Sequence, residues 1–237
     1  MRPNRVMASS LDDLFVKHGT DKSSQWHNYS RQYGPLLERF RSRGDPVRYL
    51  EIGVYNGASV RAFAEFLPPG SLVVGMDIDP ATAKHAAPDR GIFVHIADAT
   101  DPGEVARVMA AYGPFDIVVD DGSHLCSHVV ATFEALFPYV VDGGLYIVED
   151  TNVAYVAPYA DLAPAVTHLS YFAQLINMLN MNTSQFSLVA DPFKVPHSEP
   201  DPVRRAVDKI EFGCGYIAVT KLERKHWAAL AALSAPM

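Results

Sequence analysis

Apolar and polar positions follow one another in a regular order of short strands and helices along the chain. Five apolar runs of strand length occur, at Val47–Ile52, Leu72–Met76, Ile92–Ile96, Phe115–Val119 and Leu145–Val148. Helix-like stretches separate them, at Ser59–Phe66, Pro80–Ala86, Asp101–Tyr112 and Ser127–Tyr139. Continuous apolar strands alternating with helices predict an α/β fold with a doubly wound, mostly parallel sheet that helices cover on both faces.

Further elements are predicted on both sides of this alternating region. Ser10 is suited to cap a helix over Leu11–His18, and a polar loop, Gly19–Asn28, separates it from a second helix over Ser30–Arg41. Toward the C-terminus we predict a helix at Leu162–Met181, strands at Gln185–Val189, Lys209–Phe212 and Tyr216–Thr220, and a last helix from Glu223. One of these strands is expected to run antiparallel to the rest. We assign residues 1–45 to an N-terminal helical lid segment and residues 46–237 to a catalytic domain, as one domain overall.

Composition narrows the classes of protein that fit. The 237 residues carry a formal net charge of −7, and no lysine- or arginine-rich stripe is present, so binding to nucleic acid is not expected. Cys126 and Cys214 lie far apart and outside any CxxC pairing, so neither a disulfide scaffold nor a structural zinc site is expected. A reducing cytoplasm is therefore the expected location. The segment Met1–Ser10 lacks a secretory apolar core, and no apolar run approaches ~20 residues, so no membrane association is expected.

The first predicted strand ends in a glycine-containing loop, Glu51-Ile52-Gly53-Val54-Tyr55-Asn56-Gly57. Its spacing differs from the GxGxxG of dinucleotide sites, and no Walker lysine follows, which argues against a pyrophosphate cradle. Glycine at a strand end allows backbone to approach a ligand closely. The same loop is also compatible with a simple tight turn between a strand and a helix.

The next two strands end in acidic residues. Asp77 follows the second strand, where a carboxylate can accept both hydroxyls of a ribose. Asp98 follows the third strand and can accept the exocyclic amine of adenine. Each acid by itself could instead cap the following helix. The three ordered strand ends together favour a nucleoside site.

This succession resembles the class I S-adenosylmethionine-dependent methyltransferases, a Rossmann-like fold, over roughly Val47 to Lys221. The resemblance implies that the Glu51–Gly57 loop faces the methionine part of the cofactor, Asp77 the ribose and Asp98 the adenine. We therefore predict that the residues that bind the cofactor are Glu51, Gly53, Tyr55, Gly57, Asp77, Asp98 and Asp120.

Acids and a histidine gather at the ends of the fourth and fifth strands. Four carboxylates stand there, on Asp120, Asp121, Glu149 and Asp150, and they repel one another unless protons or a cation neutralise them. Hard oxygen ligands suit Mg²⁺, and we assign Asp121, Glu149 and Asp150 as its ligands. His124 could take the proton of a metal-bound substrate hydroxyl as general base. Turn formation and helix capping are the alternative roles for these acids.

The segments Asp121-Gly122-Ser123-His124 and Glu149-Asp150-Thr151 are similar to those of the Mg²⁺-dependent macrolide and rhamnosyl sugar O-methyltransferases of antibiotic biosynthesis. The resemblance implies the same metal ligands, the same histidine base, and a glycosylated small-molecule acceptor. His18-Gly19-Thr20-Asp21-Lys22, with His27 and Tyr29 beyond it, also resembles that family. The resemblance implies that this segment covers the methionine end of the cofactor through Thr20 or Lys22; we assign Thr20 to cofactor binding, and a solvated loop is the alternative. Several relatives carry an additional N-terminal domain, and this chain is expected to have only the catalytic one. Homo-oligomerisation is expected from the likeness alone.

Two other functions remain open at the level of sequence. One keeps the fold and metal but methylates a catechol or another diol. The other is a cephalosporin hydroxylase-like oxygenase, which would need His128 to join His124 as a metal ligand. Tyr155 and Tyr159, just after the metal acids, are candidates for packing against a sugar or aglycone.

Overall fold

The computed structural model of the chain describes residues 9–162, 166–182, 203 and 206–223. The predicted strand at Gln185–Val189 lies outside these residues, and so does the predicted last helix beyond Glu223. The chain forms two compact units, one that ends at Asp98 and one that begins at Ala99. The predicted division at residues 45 and 46 stays a prediction.

The unit that ends at Asp98 contains the first two predicted helices and the first three predicted strands. Its elements are α1 (Leu11–His18), α2 (Tyr29–Arg41), β1 (Arg48–Ile52), α3 (Ala58–Phe66), β2 (Leu72–Asp77) and β3 (Ile92–Ile96). The predicted helix at Pro80–Ala86 is instead a short 3-10 helix over Pro80–His85. Asp79 favours this tight turn, because its carboxylate accepts the Ala81 N–H at 2.9 Å and its carbonyl accepts the Thr82 hydroxyl at 2.7 Å.

Helix α1 begins and ends as its sequence predicts. The Ser10 hydroxyl accepts the Asp13 N–H at 3.1 Å, and the Asp13 carboxylate accepts the Ser10 N–H at 3.0 Å, which completes a capping box. Gly19 ends the helix with a φ of 72°. The buried ring of Phe15 packs edge-on against Phe63 of α3 at 5.4 Å. This packing places the loop after α1 within the same unit as β1.

The unit that begins at Ala99 contains the remaining elements. They are α4 (Pro102–Tyr112), β4 (Phe115–Asp120), α5 (Cys126–Leu136), β5 (Val140–Val148), α6 (His168–Asn182), β6 (Val207–Gly213) and β7 (Tyr216–Lys221). Short 3-10 helices lie at Phe137–Tyr139 and Thr151–Tyr155. None of the helices in the described part of the chain is long and apolar enough to cross a membrane.

The largest differences from the predicted boundaries in this unit occur at α5, β5 and α6. The helix predicted over Ser127–Tyr139 ends at Leu136, since its last residues form the 3-10 helix that contains Pro138. Strand β5 begins at Val140 rather than Leu145, because Gly143 and Gly144 hide the strand pattern; the register with β4 shifts at this point.

Helix α6 begins at His168 rather than Leu162. Thr167 and Ser170 form reciprocal bonds at its start: the Thr167 hydroxyl accepts the Ser170 N–H at 3.2 Å, and the Ser170 hydroxyl accepts the Thr167 N–H at 3.0 Å. The helix therefore starts at a local capping motif that the apolar pattern did not reveal.

Seven strands form one sheet in the order β3-β2-β1-β4-β5-β7-β6. β2 pairs in parallel with both β1 and β3, and β4 pairs in parallel with β5. β7 pairs antiparallel with both β5 and β6. The predicted fold class, a mostly parallel α/β sheet with an antiparallel strand near the C-terminus, is confirmed. Within each unit the carboxyl ends of the parallel strands share one edge, where ligands of such sheets bind.

Candidate active site

The loop after β1 makes a tight turn that depends on glycine. Gly53 and Gly57 have φ angles of 85° and 71°, in the left-handed region. The Gly53 N–H donates to the Met76 carbonyl of β2 at 2.9 Å, which holds the loop against the neighbouring strand. A Cβ atom at Gly57 would lie 2.6 Å from Cγ of His85. Position 57 therefore requires glycine for two reasons: its left-handed backbone angle, and the His85 side chain that occupies the space of a Cβ atom.

Asp77 joins the end of β2 to this loop. One oxygen of its carboxylate accepts the backbone N–H groups of Val54 and Tyr55, at 2.7 and 3.1 Å. The other oxygen accepts the Asp79 N–H at 2.8 Å. Because a carboxylate oxygen can accept more than one hydrogen bond, Asp77 can still bind a hydroxyl while it shapes the loop. The structure thus brings together two sequence-predicted parts of the nucleoside site.

The other predicted nucleoside contacts lie beside this loop. The Ala97 N–H donates to the Asp77 carbonyl at 2.9 Å, so the chain that leaves β3 runs along the end of β2 and places the half-buried Asp98 there. The Tyr55 side chain is 85% exposed on a backbone with a φ of 47°. The individual roles of Asp98 and Tyr55 stay predictions.

Glu51 and Thr20 are both buried. The burial of Thr20 differs from the alternative in which its segment is a solvated loop. The Glu51 side chain is fully buried, and its Oε1 lies 3.7 Å from Nζ of Lys22, whose side chain is 2% exposed. Thr20 is 6% exposed, and its hydroxyl oxygen lies 3.4 Å from the Lys22 N–H that donates to it. The loop that begins at Gly19 therefore folds inward, toward the end of β1.

In the second unit, Asp121, His124 and Asp150 form a cluster with metal-ligand chemistry. One ligand atom from each lies within 4.8 Å of the others. Nε2 of His124 is 3.9 Å from Oδ1 of Asp121 and 3.7 Å from Oδ2 of Asp150, and the three side chains are each about a quarter exposed. Two carboxylates and an imidazole at this spacing can hold a divalent cation, or two acids can hold it beside a neutral base.

Two members of this cluster have unusual backbone conformations. His124 has a φ of 59° and Asp150 a φ of 52°. Left-handed backbone costs a residue with a side chain roughly 1–2 kcal/mol. Such conformations persist where the surrounding structure holds them, and they concentrate at functional sites.

Glu149 and Asp120 lie deeper than the cluster. Glu149 is 2% exposed, and among the described residues it does not belong to the metal-binding group that includes His124. Asp120 is 4% exposed and accepts a hydrogen bond from the Tyr146 hydroxyl at 3.2 Å. Burial raises the pKa of Asp120 to about 7. The metal role of Glu149 and the cofactor role of Asp120 stay predictions.

The segment after Asp150 is attached to the start of α5, next to His124. The Cys126 N–H donates to the Tyr159 carbonyl at 3.0 Å, and the Ser127 N–H donates to Oδ1 of Asp161 at 2.9 Å. The ring of Tyr159 lies 6.4 Å from that of His124. This aromatic side chain stands beside the cluster, whereas Tyr155 is 78% exposed.

His128 has a different environment from His124. Its Nδ1 lies 2.9 Å from the Ser123 hydroxyl, with which it shares a hydrogen bond. Among the described residues, the candidate metal group contains His124 and does not include His128. The arrangement of two histidines and one carboxylate that an oxygenase requires is not formed by these two side chains.

Sequence reasoning set aside two histidines that lie near the predicted site residues. His85 packs against Gly57, as described above, and burial lowers its pKa. His168, at the start of α6, is 1% exposed, and neither of its ring nitrogens makes a well-formed hydrogen bond within the described residues. Burial, with a smaller effect of His124, lowers the pKa of His168 to about 4. Neither histidine lies within a strand-end motif, so the sequence pattern did not reveal them.

Comparisons with known proteins identify methyltransferases as similar to this chain. Residues 50–151 match the profile of a family described as a methyltransferase domain. The demethylmacrocin O-methyltransferase of Streptomyces fradiae is 38% identical over 152 residues, which are 61% of this chain and 37% of that protein. An 8-demethyl-8-(2-methoxy-α-L-rhamnosyl)-tetracenomycin-C 3′-O-methyltransferase of Streptomyces olivaceus is 35% identical over 162 residues, or 65% of this chain and 40% of that protein.

A solved structure extends the similarity to most of the chain. The MycE methyltransferase of the mycinamycin biosynthetic pathway, in complex with Mg and SAH, is 30% identical and superposes with a TM-score of 0.77. The similarity covers 91% of this chain and 54% of that one. This chain thus matches about two fifths of the length of the curated relatives and about half of the solved structure.

The resemblance expected from the strand-end motifs is therefore confirmed. The profile match includes the Gly53 loop, Asp77, and the Asp121, His124 and Asp150 cluster. Residues 50–151 match a methyltransferase domain, within a chain whose fold is that of the class I methyltransferase MycE.

Proposed function

We propose that this chain is an S-adenosylmethionine- and Mg²⁺-dependent O-methyltransferase that acts on a sugar hydroxyl of a glycosylated natural product. The observation that carries the proposal is the cluster of Asp121, His124 and Asp150, which combines a cation site with a base. The sugar acceptor is supported by the name of the rhamnosyl-tetracenomycin-C 3′-O-methyltransferase. The similar demethylmacrocin O-methyltransferase supports the transfer of a methyl group to oxygen.

The residues of the first unit fit the nucleoside cofactor. Gly53 and Gly57 allow the tight turn that places the Val54 and Tyr55 N–H groups on Asp77, and Asp77 retains hydrogen-bonding capacity next to the loop. The proposed cofactor contacts are those predicted from the sequence, with Glu51 and Thr20 on the amino-acid side. The amino-terminal lid segment, residues 1–45, belongs to this proposal, because Thr20 and Lys22 are buried parts of it.

The carboxylates of Asp121 and Asp150 would hold Mg²⁺. Glu149, which lies deeper and outside that group within the described residues, would be the third ligand expected from the sequence. When bound, S-adenosylmethionine supplies the methyl group that passes from its sulfur to the acceptor oxygen, and Mg²⁺ supplies positive charge that favours loss of the hydroxyl proton. His124 accepts that proton at Nε2, the atom that faces both carboxylates. Asp121 and Asp150 orient the acceptor by holding the cation.

The environment of the cluster also bears on the acceptor. Tyr159 stands beside His124, and its backbone is attached to the start of α5, so the ring forms a fixed wall next to the proposed base. An aromatic face suits the apolar side of a sugar ring. It suits a catechol as well, so the choice of a sugar rests on the relatives. Cytoplasmic location and self-association remain predictions of the sequence.

The proposal is tested by methyl transfer from radiolabelled S-adenosylmethionine to a rhamnosylated tetracenomycin, a macrolide glycoside and a catechol. We expect transfer to a glycoside, loss of activity with EDTA and recovery with Mg²⁺. His124→Gln is expected to lower kcat by 10²-fold or more, the usual contribution of a general base. His95→Gln, a matched change on β3, should leave kcat within a few-fold of the wild-type value.

The alternatives give different outcomes in the same assay. Transfer to the catechol alone would replace the sugar acceptor and keep the mechanism. Consumption of O₂ with Fe²⁺ and no methylated product would support the oxygenase and contradict the proposal. Full activity of His124→Gln would remove the assigned base.

A further inference from the structure

We infer that Lys22 is a positioning residue for the amino-acid end of the cofactor. By pairing with Glu51, it holds the loop from Gly19 to Asn28 against the end of β1, where the methionine portion would lie. The inference rests on the proposed function, since it concerns the same cofactor.

The pair is buried and close, but it is not a tight hydrogen-bonded contact. Nζ of Lys22 is 3.7 Å from Oε1 of Glu51, and the two side chains are 2% and 0% exposed. Replacing a buried ion pair by apolar side chains is often neutral or stabilising, because removing two charges from water is costly. The pair is therefore poorly explained as a device for stability alone.

The loop that carries Lys22 is held largely by its own backbone. The His27 N–H donates to the Asp21 carbonyl and the Asn28 N–H to the Ser23 carbonyl, both at 2.9 Å. The Ser30 N–H donates to the Lys22 carbonyl at 3.3 Å, which joins the loop to α2. Asp12 of α1 also accepts the Ser24 N–H at 2.7 Å and the Ser24 hydroxyl at 2.6 Å. The Lys22–Glu51 contact adds a charged link from this loop to the strand before the glycine turn.

The order of the strand ends indicates which part of the cofactor lies there. Asp98 follows β3 and Asp77 is the last residue of β2, and β2 lies between β3 and β1 in the sheet. If these acids bind adenine and ribose, the far end of the ligand lies beyond β1. That end of S-adenosylmethionine carries an α-ammonium and an α-carboxylate group, and Glu51 and Lys22 are the oppositely charged side chains at β1. Charges shielded from water act on such groups with little screening.

The test compares two ligands by calorimetry. S-adenosylhomocysteine (SAH) contains the amino-acid end of the cofactor, and 5′-methylthioadenosine lacks it. For Lys22→Met we expect SAH to bind at least 10-fold more weakly, while the affinity for 5′-methylthioadenosine changes less than threefold. Lys22→Arg, which keeps the charge, should recover most of the SAH affinity.

A second variant is needed because Lys22→Met leaves the buried Glu51 charge uncompensated, which destabilises the fold. Lys22→Met combined with Glu51→Gln removes both charges and should show the same loss for SAH alone. Equal weakening of both ligands, or unchanged SAH binding in a folded variant, would overturn the inference and leave the proposed function intact. Failure of the wild-type chain to bind either ligand would contradict both.

Discussion

Left-handed backbone occurs at several of the residues on which the proposed chemistry depends. In the described part of the chain, the non-glycine residues with positive φ are Asn28, Tyr55, His124 and Asp150. All but Asn28 were assigned to the site from the sequence. These conformations bring the Gly53 loop and the Asp121, His124 and Asp150 cluster into shape, at a cost that local hydrogen bonds and packing must offset.

Gly57→Ala tests whether the turn requires glycine for two reasons. The backbone φ of 71° and the overlap with His85 should together lower the free energy of unfolding by about 2 kcal/mol or more. Gly44→Ala is the matched control, because Gly44 has a φ of 75° and no neighbour within 4 Å of an added Cβ; we expect about 1 kcal/mol there. Urea unfolding measures both, and equal losses would show that the His85 contact has no energetic effect.

The burial of His168 predicts how the stability of the fold depends on pH. Its pKa is lowered in the folded chain, to about 4 from 6.5, so the unfolded chain binds more protons between these values. Stability should therefore be lost as pH falls from about 6.5 to about 4, with a slope of up to ~1.4 kcal/mol per pH unit from this one group. Urea unfolding across this range should show a smaller slope for His168→Gln than for the wild type. Identical slopes would contradict the prediction.

At the scale of elements, the end of β7 supports the start of β5. Lys221 is 9% exposed, and its Nζ donates to the carbonyl oxygens of Phe137, Pro138 and Val140, at 3.2, 2.7 and 2.7 Å. A buried ammonium thus satisfies carbonyls that the 3-10 helix leaves without helical partners. Because β5 leads to Glu149 and Asp150, this contact lies at the far end of a strand that carries the metal acids.

Lys221→Met is expected to lower the free energy of unfolding by about 2–3 kcal/mol, since buried carbonyls lose hydrogen bonds from a charged donor. Lys209→Met on the adjacent strand β6 is the control. Its ion pair with Glu211 is exposed on both sides, and we expect a change below ~1 kcal/mol. Guanidinium unfolding compares the two variants, and a loss at Lys209 as large as that at Lys221 would contradict this account.

At the scale of the whole molecule, the net charge of −7 opposes binding to nucleic acid. We expect a fluorescent single-stranded RNA and a DNA duplex to bind with dissociation constants above ~100 μM at 50 mM salt, weaker than typical nonspecific binders. Fluorescence anisotropy measures this. Micromolar affinity that falls steeply with added salt would reveal a basic surface that the composition does not indicate.

The alternation of strands and helices, the capping of α1 and the acids at strand ends could be read from the chain because each depends on local pattern. Strand β5 could not be read in full, since Gly143 and Gly144 interrupt its apolar run at the place where the register with β4 shifts. Likewise, the boundary of α6 depends on side-chain bonds between Thr167 and Ser170.

The sequence by itself determined the fold class and the types of residue at each strand end. Hydrophobic periodicity and the succession of elements along the chain suffice for both. Only the tertiary structure decided which side chains meet. It joined Asp77 to the Gly53 loop, placed His124 between Asp121 and Asp150, and buried Lys22 against Glu51. Apart from Asp121 and His124, the residues in these contacts are far apart in the chain, and the contacts depend on packing and on left-handed backbone that no local pattern specifies.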